Sequence, residues 1–249
     1  MKKLLLTLTA ILLSAQIFAD GHTAIERAVA NNARPEADSA RDTARKPADV
    51  LEFFGIEPGM KVLDIFAGGG YYSEILSYAV GTEGSVTLYN NGGWDGFVGA
   101  GVEERLESNR LPNVESMVAE ANATNFDANS FDAAVFVLGF HDLYYAEESW
   151  PAIDADNFLA AIYASIKPGG VLGIVDHAAT AGNSVEVANT LQRIDPGVIR
   201  FAMAKAGFEF VEESNILRNG GDPLIVPMSD PAIRGNTDRV VHLYRKPSM

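Results

Sequence analysis

Two histidine–aspartate pairs are the residues of this 249-residue chain best suited to chemistry: His141-Asp142, after Phe140, and Asp176-His177. Each closes a short apolar run, 131–139 and 171–177. Such runs bounded by turn residues read as buried strands, so both pairs stand at strand ends, and neighbouring strands would bring them into one crevice. Histidine titrates near neutral pH and suits a general base. His141 is the first candidate base and His177 the second, with Asp142, Asp176 and Tyr144 completing the catalytic set. The same His141, Asp142, Asp176 and His177 offer nitrogen and oxygen ligands to a metal-assisted hydrolase. No HxH or HExxH spacing supports that reading, and the chain has no cysteine to supply a thiolate. Ordinary helix caps and loop braces are the simpler alternative for any one of these groups.

A second stretch, VLDIFAGGGYYSEIL (62–76), holds a ligand rather than a reaction. A buried-strand pattern runs into Gly68-Gly69-Gly70 and a helix pattern begins at once. Glycines at such a turn let the backbone approach a ligand, and the free amides of the helix start point toward it.

The elements that must position both features alternate along the chain. Strand-like runs lie at 61–66, 85–90, 114–119, 131–139, 171–177, 207–214 and 239–246. Helical patterns lie at 47–56, 71–80, 101–110 and 157–166, the last ended by Lys167-Pro168-Gly169-Gly170, and a further helix opens at Gln192-Arg193-Ile194-Asp195-Pro196, near enough to form a lid. Short apolar strands separated by helices predict a parallel sheet covered on both faces. In such a sheet ligands bind beyond the carboxyl ends of the strands, where the winding reverses. NNGGWDG (90–96) reads as a mobile loop there, and 215–238 as a long loop.

VLDIFAGGG (62–70), ANATNFDANSFDAAVFVLGFH (121–141) and IKPGGVLGIVDH (166–177) together resemble the class I S-adenosylmethionine-dependent methyltransferases over roughly 47–246. Their first motif is commonly VLD-x-G-x-G-x-G, and Phe66 is the departure from it. The resemblance implies a Rossmann-like, doubly wound α/β fold: a seven-stranded sheet, mostly parallel with an antiparallel last strand, and helices on both faces. It implies S-adenosyl-L-methionine as cofactor and methyl transfer to an acceptor as the activity. Asp64 would hold the methionine ammonium, while Gly68, Gly69 and Gly70 let the cofactor lie against the backbone beside Phe66, Ala67 and Tyr72. The acid expected for the ribose is replaced by Asn90 and Asn91, and Glu120, Ala121 and Asn122 fall beside the adenine. Phe66 would narrow the loop and pack under the helix. Arg41-Asp42, Arg45-Lys46-Pro47, the GGGYY turn, FHDLYY, VDH, RIDP and TDR also look like a group of exported predicted methyltransferases. The competing class is a non-catalytic Rossmann-like ligand-binding or scaffold protein, supported by Asn90.

Around these motifs, Tyr71, Tyr72, Tyr144, Tyr145 and Trp150 could shape a pocket, and Arg41, Arg45 and Arg193 could hold an acidic acceptor. A small-molecule acceptor is expected. The N-terminus carries Lys2 and Lys3, an apolar run to about Leu13, and Ala19 before Asp20, the pattern of a secretory signal peptide. The expected organisation is a signal peptide over 1–19, a helical or linker segment over 20–46 and one domain over 47–249. Cleavage would send the chain to a Gram-negative periplasm with no membrane anchor. The formal charge is −14, and losing the two lysines of the leader takes it to −16. An excess of that size repels nucleic acid and anionic membrane surfaces.

Overall fold

The computed structural model describes residues 24–148 and 150–248; the leader read at 1–19 lies outside them. The strands are β1 (Lys61–Ile65), β2 (Ser85–Asn90), β3 (Val114–Val118), β4 (Phe131–Val137), β5 (Ile166–His177), β6 (Glu209–Ser214) and β7 (Arg239–Arg245). They form one seven-stranded sheet in the order β3-β2-β1-β4-β5-β7-β6. Neighbours from β3 to β5 are parallel, and β7 runs antiparallel to both β5 and β6.

Side chains alternate across this sheet, as the two-residue period of a strand requires. Leu63, Ile65, Ala134, Phe136, Leu172, Ile174, Val240 and Tyr244 share one apolar cluster. Their chain neighbours Val62, Ala133, Val135, Val175, Val241 and Leu243 belong to the other. Helix α7 (Ala155–Ser165) and α9 (Pro196–Ala206) close the first face through Phe158, Leu159, Ile162, Ile199 and Met203. The second face is covered by α4 (Pro47–Phe53) and α5 (Tyr71–Val80), through Val50, Leu51, Ile75 and Leu76. Gly173 on β5 lets Phe54 lie flat on the sheet, since a Cβ there would fall 2.3 Å from its ring. Ahead of α4 the chain makes short helices at 24–29 (α1), Glu36–Ser39 (α2) and Asp42–Arg45 (α3). α6 (Asp95–Leu106) and the short α8 (Val187–Leu191) complete the elements used below.

Two segments differ from their sequence reading. α6 starts at Asp95, six residues before the expected 101, so NNGGWDG is a 3-10 turn (Gly92–Trp94) followed by helix rather than a loop. Gly99 leaves room within this helix for the Asp95 carboxylate, whose Oδ1 folds back to 2.8 Å from where a Cβ would stand. Lys167-Pro168-Gly169-Gly170 follows the end of α7 at Ser165, as expected, but already belongs to β5, which starts five residues before the expected 171, with Gly169 (φ +81°) absorbing the register shift against β4. Gly169 N–H and Lys246 N–H tie this irregular stretch to β7, donating to Lys246 O and Gly170 O at 2.9 Å each.

Candidate active site

β1 pairs with β2 on one side and β4 on the other, so the winding reverses between β1 and β4. The residues just beyond those two strands, Phe66 to Gly69 and Val137 to Leu138, wall a cavity of about 190 Å³. Tyr71, Trp94 and Arg105 close its sides, and Arg41 and Arg45 of the N-terminal segment cover it. A larger cavity of about 480 Å³ sits at the far end of α5, around Tyr78 and Asn113, away from the strand ends.

Phe66 enters this turn at φ +52°, a left-handed conformation that a bulky residue adopts at a cost of ~1–2 kcal/mol. Its ring is 2 % exposed and meets Tyr89, Phe136, Trp150 and Phe158 at centroid distances of 5.7, 5.3, 5.8 and 5.4 Å. Burial of such a ring contributes ~2–3 kcal/mol, and each well-placed aromatic pair ~0.5–1.5 more. Packing therefore outweighs strain, and Phe66 is a core hub whose backbone shapes the cavity. The expectation that it narrows the loop under the helix is replaced by this position under the sheet's other face, against α7.

The loop is braced by the residue expected to hold a ribose. Asn90 Oδ1 accepts from Gly68 N–H at 2.8 Å, and its Nδ2 donates to Gly68 O at 2.9 Å. Each end of the amide makes one bond to the same glycine, so Asn90 braces the loop, with one N–H and one lone pair of the amide beyond these two bonds. Asn91 Oδ1 accepts from Ala121 N–H at 2.8 Å and ties β2 to the turn after β3. Ala121 is core, and Asn122 binds Ala152 O and Asp154 N–H near the start of α7, away from the cavity. Glu120 is exposed and covers Gly92, where a Cβ would fall 2.1 Å from its Oε1. Asp64 is also turned inward: its carboxylate accepts from Ser73 Oγ at 2.6 Å, and burial pushes its pKa up to about 7. Tyr72 packs in the α4–α5 core, with burial lifting its hydroxyl to about 12, and Tyr71 takes the cavity position instead. Of the expected cofactor set, Phe66, Ala67, Gly68 and Gly69 line the cavity, and Gly70 (φ +79°) caps α5.

Sequence reasoning missed Arg105, and the reason is tertiary. Its Nε donates to Gly69 O at 2.5 Å, and its two outer nitrogens pair with Glu74 and, at 2.8 Å, with Asp38. Asp38 also pairs with Arg41, and Glu74 also takes Arg110 at 2.6 Å. Burial alone would raise the Glu74 carboxyl, and Arg110 and Arg105 more than reverse that. Arg34 grips Asp42 with two bonds of 2.7 and 2.8 Å, and Tyr71 hydroxyl donates to Asp42 at 2.5 Å. The segment read as linker is thus ion-paired to α6 through Asp38, hydrogen-bonded to α5 through Asp42, and forms the cavity's cover. Arg193 is not on the surface or in a lid: fully buried, it binds Asp222 and the carbonyls of Val226 and Ala178.

The two histidine–aspartate pairs do meet. Asp176 is fully buried and accepts three bonds, from His141 N–H (2.8 Å), His141 Nδ1–H (2.8 Å) and His177 N–H (2.7 Å). His141 Nε2 faces Asp142 Oδ1 at 3.4 Å, and the His141 and His177 rings lie 6.0 Å apart. Burial would lower the His141 pKa, but Asp176 and Asp142 outweigh it and raise it to about 9. At neutral pH His141 is therefore an imidazolium held between two carboxylates, not the base expected of it. His177 is pushed down to about 3, chiefly by burial, and its Nδ1 is engaged with Thr237 Oγ1 at 2.6 Å. Asp142 is lifted to about 6 by burial, and its Oδ2 is the buried quartet atom without a hydrogen-bond partner among the described residues. Tyr144 stands apart, against Phe140 and a shallow cavity beside α9. Among the described residues no group of three or more histidines and carboxylates is arranged to hold a metal ion.

This topology recurs in known proteins. An S-adenosylmethionine-dependent methyltransferase from Aquifex aeolicus superposes with a TM-score of 0.60 at 22% identity, covering 83% of this chain and 93% of the other. This is a class I methyltransferase fold. The same fold carries other chemistry: the [4+2]-cyclase SpnF superposes with a TM-score of 0.58 at 18% identity, over 92% of this chain and 94% of its own. The family model of protein-L-isoaspartate(D-aspartate) O-methyltransferase matches residues 35–132, from the cavity's cover to the start of β4. The ubiquinone/menaquinone biosynthesis C-methyltransferase UbiE of Shewanella piezotolerans is 32% identical over 126 residues, 51% of this chain and 46% of that protein. Its counterpart in Teredinibacter turnerae is 29% identical over 141 residues, 57% of this chain and 52% of that one. The chain spans about half the length of the curated relatives it matches.

Proposed function

We propose that this chain binds S-adenosylmethionine against the Phe66–Gly69 turn and transfers its methyl group to a small-molecule acceptor. The observation that carries the reading is the cavity at the β1/β4 reversal, walled by that turn. Gly69 has no atom within 4 Å of where a Cβ would stand, so its outer face is free for a ligand. The cradle suits the cofactor in that the open face of Gly69 lets a ligand lie against the turn and Trp94 offers an aromatic ring beside it. When bound, S-adenosylmethionine supplies a methyl on a sulfonium, open to in-line displacement. The chain's own work is alignment and, for a hydroxyl or acidic-carbon acceptor, proton removal. Asp142 suits that removal better than His141 or His177, since its Oδ2 lacks a partner and its pKa of about 6 lies near the working range. Family likeness supports the reading, as methyltransferases supply the matching family model and the curated relatives.

Calorimetric titration of S-adenosylhomocysteine into the purified chain should give one site per molecule with micromolar affinity. No heat of binding at high micromolar concentration would sink the proposal. A second reading, a ligand-binding protein without transfer chemistry, is favoured by the engagement of Asn90 with Gly68.

We also place the chain among exported methyltransferases, acting after removal of 1–19, on the leader pattern of its N-terminus. No helix among the described residues is long and apolar enough to cross a membrane. Cell fractionation should find the chain in the periplasm, and a version starting at Asp20 behind a methionine in the cytoplasm. Equal cytoplasmic retention of both would refute export.

A further inference from the structure

Five guanidiniums gather in and around the N-terminal cover, Arg34, Arg41 and Arg45 from the cover itself, Arg105 from α6 and Arg239 from β7, in a chain whose formal charge is −14. Three are matched by carboxylates: Arg34 by Asp42, Arg41 by Asp38, and Arg105 by Glu74 and Asp38. Two are not. Arg45 is half-buried on the cavity wall and stacks on Tyr71 at 4.5 Å, with no carboxylate in ion-pairing distance among the described residues. Arg239, 3 % exposed, donates only to neutral acceptors: Thr237 Oγ1 at 3.2 Å, Ala44 O at 3.0 Å and Gly235 O at 2.6 Å. By holding the carbonyl of Ala44, Arg239 fixes the backbone next to Arg45. The neighbouring carboxylates are committed elsewhere, Asp42 to Arg34 and Tyr71, Asp64 to Ser73, and Asp176 to His141.

A desolvated guanidinium without a counter-charge is unfavourable unless an anion completes it. Burial and the nearby Arg41 both disfavour the charge on Arg45, the direction expected of a cation lacking its partner. Arg45 shares the cavity with the glycine turn and Trp94 but stands at its β7 edge, stacked on Tyr71 and next to Ala44, whose carbonyl is held by Arg239 at the start of β7. That is the side on which Asp142, Asp176 and His177 stand.

We propose that Arg45, with Arg41 beside it, is a subsite for an anionic group, a carboxylate or phosphate, carried by the methyl acceptor. The assignment rests on the methyltransferase reading. It makes the acceptor an organic anion rather than a neutral ring or an amine. Arginine suits both groups because its planar fork meets two oxygens at once.

The test uses succinate and inorganic phosphate as probes, titrated into the full chain saturated with S-adenosylhomocysteine. At least one should bind saturably with millimolar affinity. Arg45→Gln should weaken it at least tenfold, Arg45→Lys should retain part of the binding, and both should keep S-adenosylhomocysteine affinity within threefold. Urea midpoints confirm folding, and if Arg45→Gln does not fold, Arg41→Gln takes its place with a smaller expected loss. The proposal is overturned if neither probe binds, or if binding survives Arg45→Gln unchanged. It is also overturned if Arg45→Gln weakens S-adenosylhomocysteine tenfold, since Arg45 would then serve the cofactor's own carboxylate. If S-adenosylhomocysteine fails to bind the unsubstituted chain, the methyltransferase reading falls. The same titration without it then decides the anion subsite alone: probe binding abolished by Arg45→Gln supports it, and no probe binding overturns it.

Discussion

Replacing Asp176 with alanine is expected to destabilise the chain by ~3–5 kcal/mol, the loss found when one partner of a buried ion pair is removed. Asp176 is fully buried and is the common acceptor for His141 N–H, His141 Nδ1–H and His177 N–H. Without it the imidazolium keeps only Asp142, at 3.4 Å, and three donors lose their acceptor. Asp176→Asn retains an acceptor oxygen and should lose less. Urea denaturation at pH 7 reads both, and a midpoint for Asp176→Ala within error of the unsubstituted chain would refute the clamp. The loss should also depend on pH in a defined direction. His141 has its folded pKa raised from 6.5 to about 9, so its contribution is complete below pH 6.5 and disappears as pH rises through 9. The linkage is on the order of 3 kcal/mol. The unsubstituted chain should therefore lose stability between pH 7 and 9.5, and its gap to Asp176→Ala should narrow over that window. On the acid side Asp176 is held below the ordinary aspartate value by His141 despite burial, so its own contribution is lost only as pH falls below about 4.

Gly69→Phe is expected to abolish S-adenosylhomocysteine binding, by a hundredfold or more, which is ~2.8 kcal/mol of affinity. Its stability should stay within ~1 kcal/mol of the unsubstituted chain. The separation follows from the turn. A Cβ at Gly69 meets nothing within 4 Å, and the side chain beyond it enters the 190 Å³ cavity. One residue on, Gly70 is different: φ is +79°, and a Cβ would stand 2.9 Å from both Leu88 Cδ1 and Arg105 Cδ. Gly70→Ala should therefore unfold at a lower urea concentration, whatever it does to binding. Retained affinity in a folded Gly69→Phe would place the cofactor somewhere other than this turn.

The strands were legible because burial on two faces writes itself as short apolar runs, and α5 could be read to the residue because glycine marks its start and Gly81 its end. The start of α6 was hidden because Gly92, Gly93 and Gly96 mimic a loop, while the helix that contains Gly96 depends on contacts far along the chain. The position of the His141, Asp142, Asp176 and His177 group was legible from strand ends, but its protonation was not. Residue type names a histidine, whereas two carboxylates set against burial decide whether it holds its proton. Asp64 and Asn90 illustrate the same limit. A motif specifies which residues stand near a turn, and only the packed structure shows that Ser73 and Gly68 have already taken their polar atoms. Phe66 was the opposite case, an apparent misfit explained by four aromatic neighbours lying on distant segments.

The pair of hydrogen bonds between Asn90 and Gly68, together with the anchored ring of Phe66, means that this turn has its shape before any ligand arrives. A loop free to wander must surrender backbone entropy on binding, ~1–2 kcal/mol for each residue it fixes. Here folding has already done the ordering, so that penalty is absent from the affinity. The same rigidity makes the cradle selective by shape, since a ligand that does not match the turn finds no pliable backbone to accommodate it.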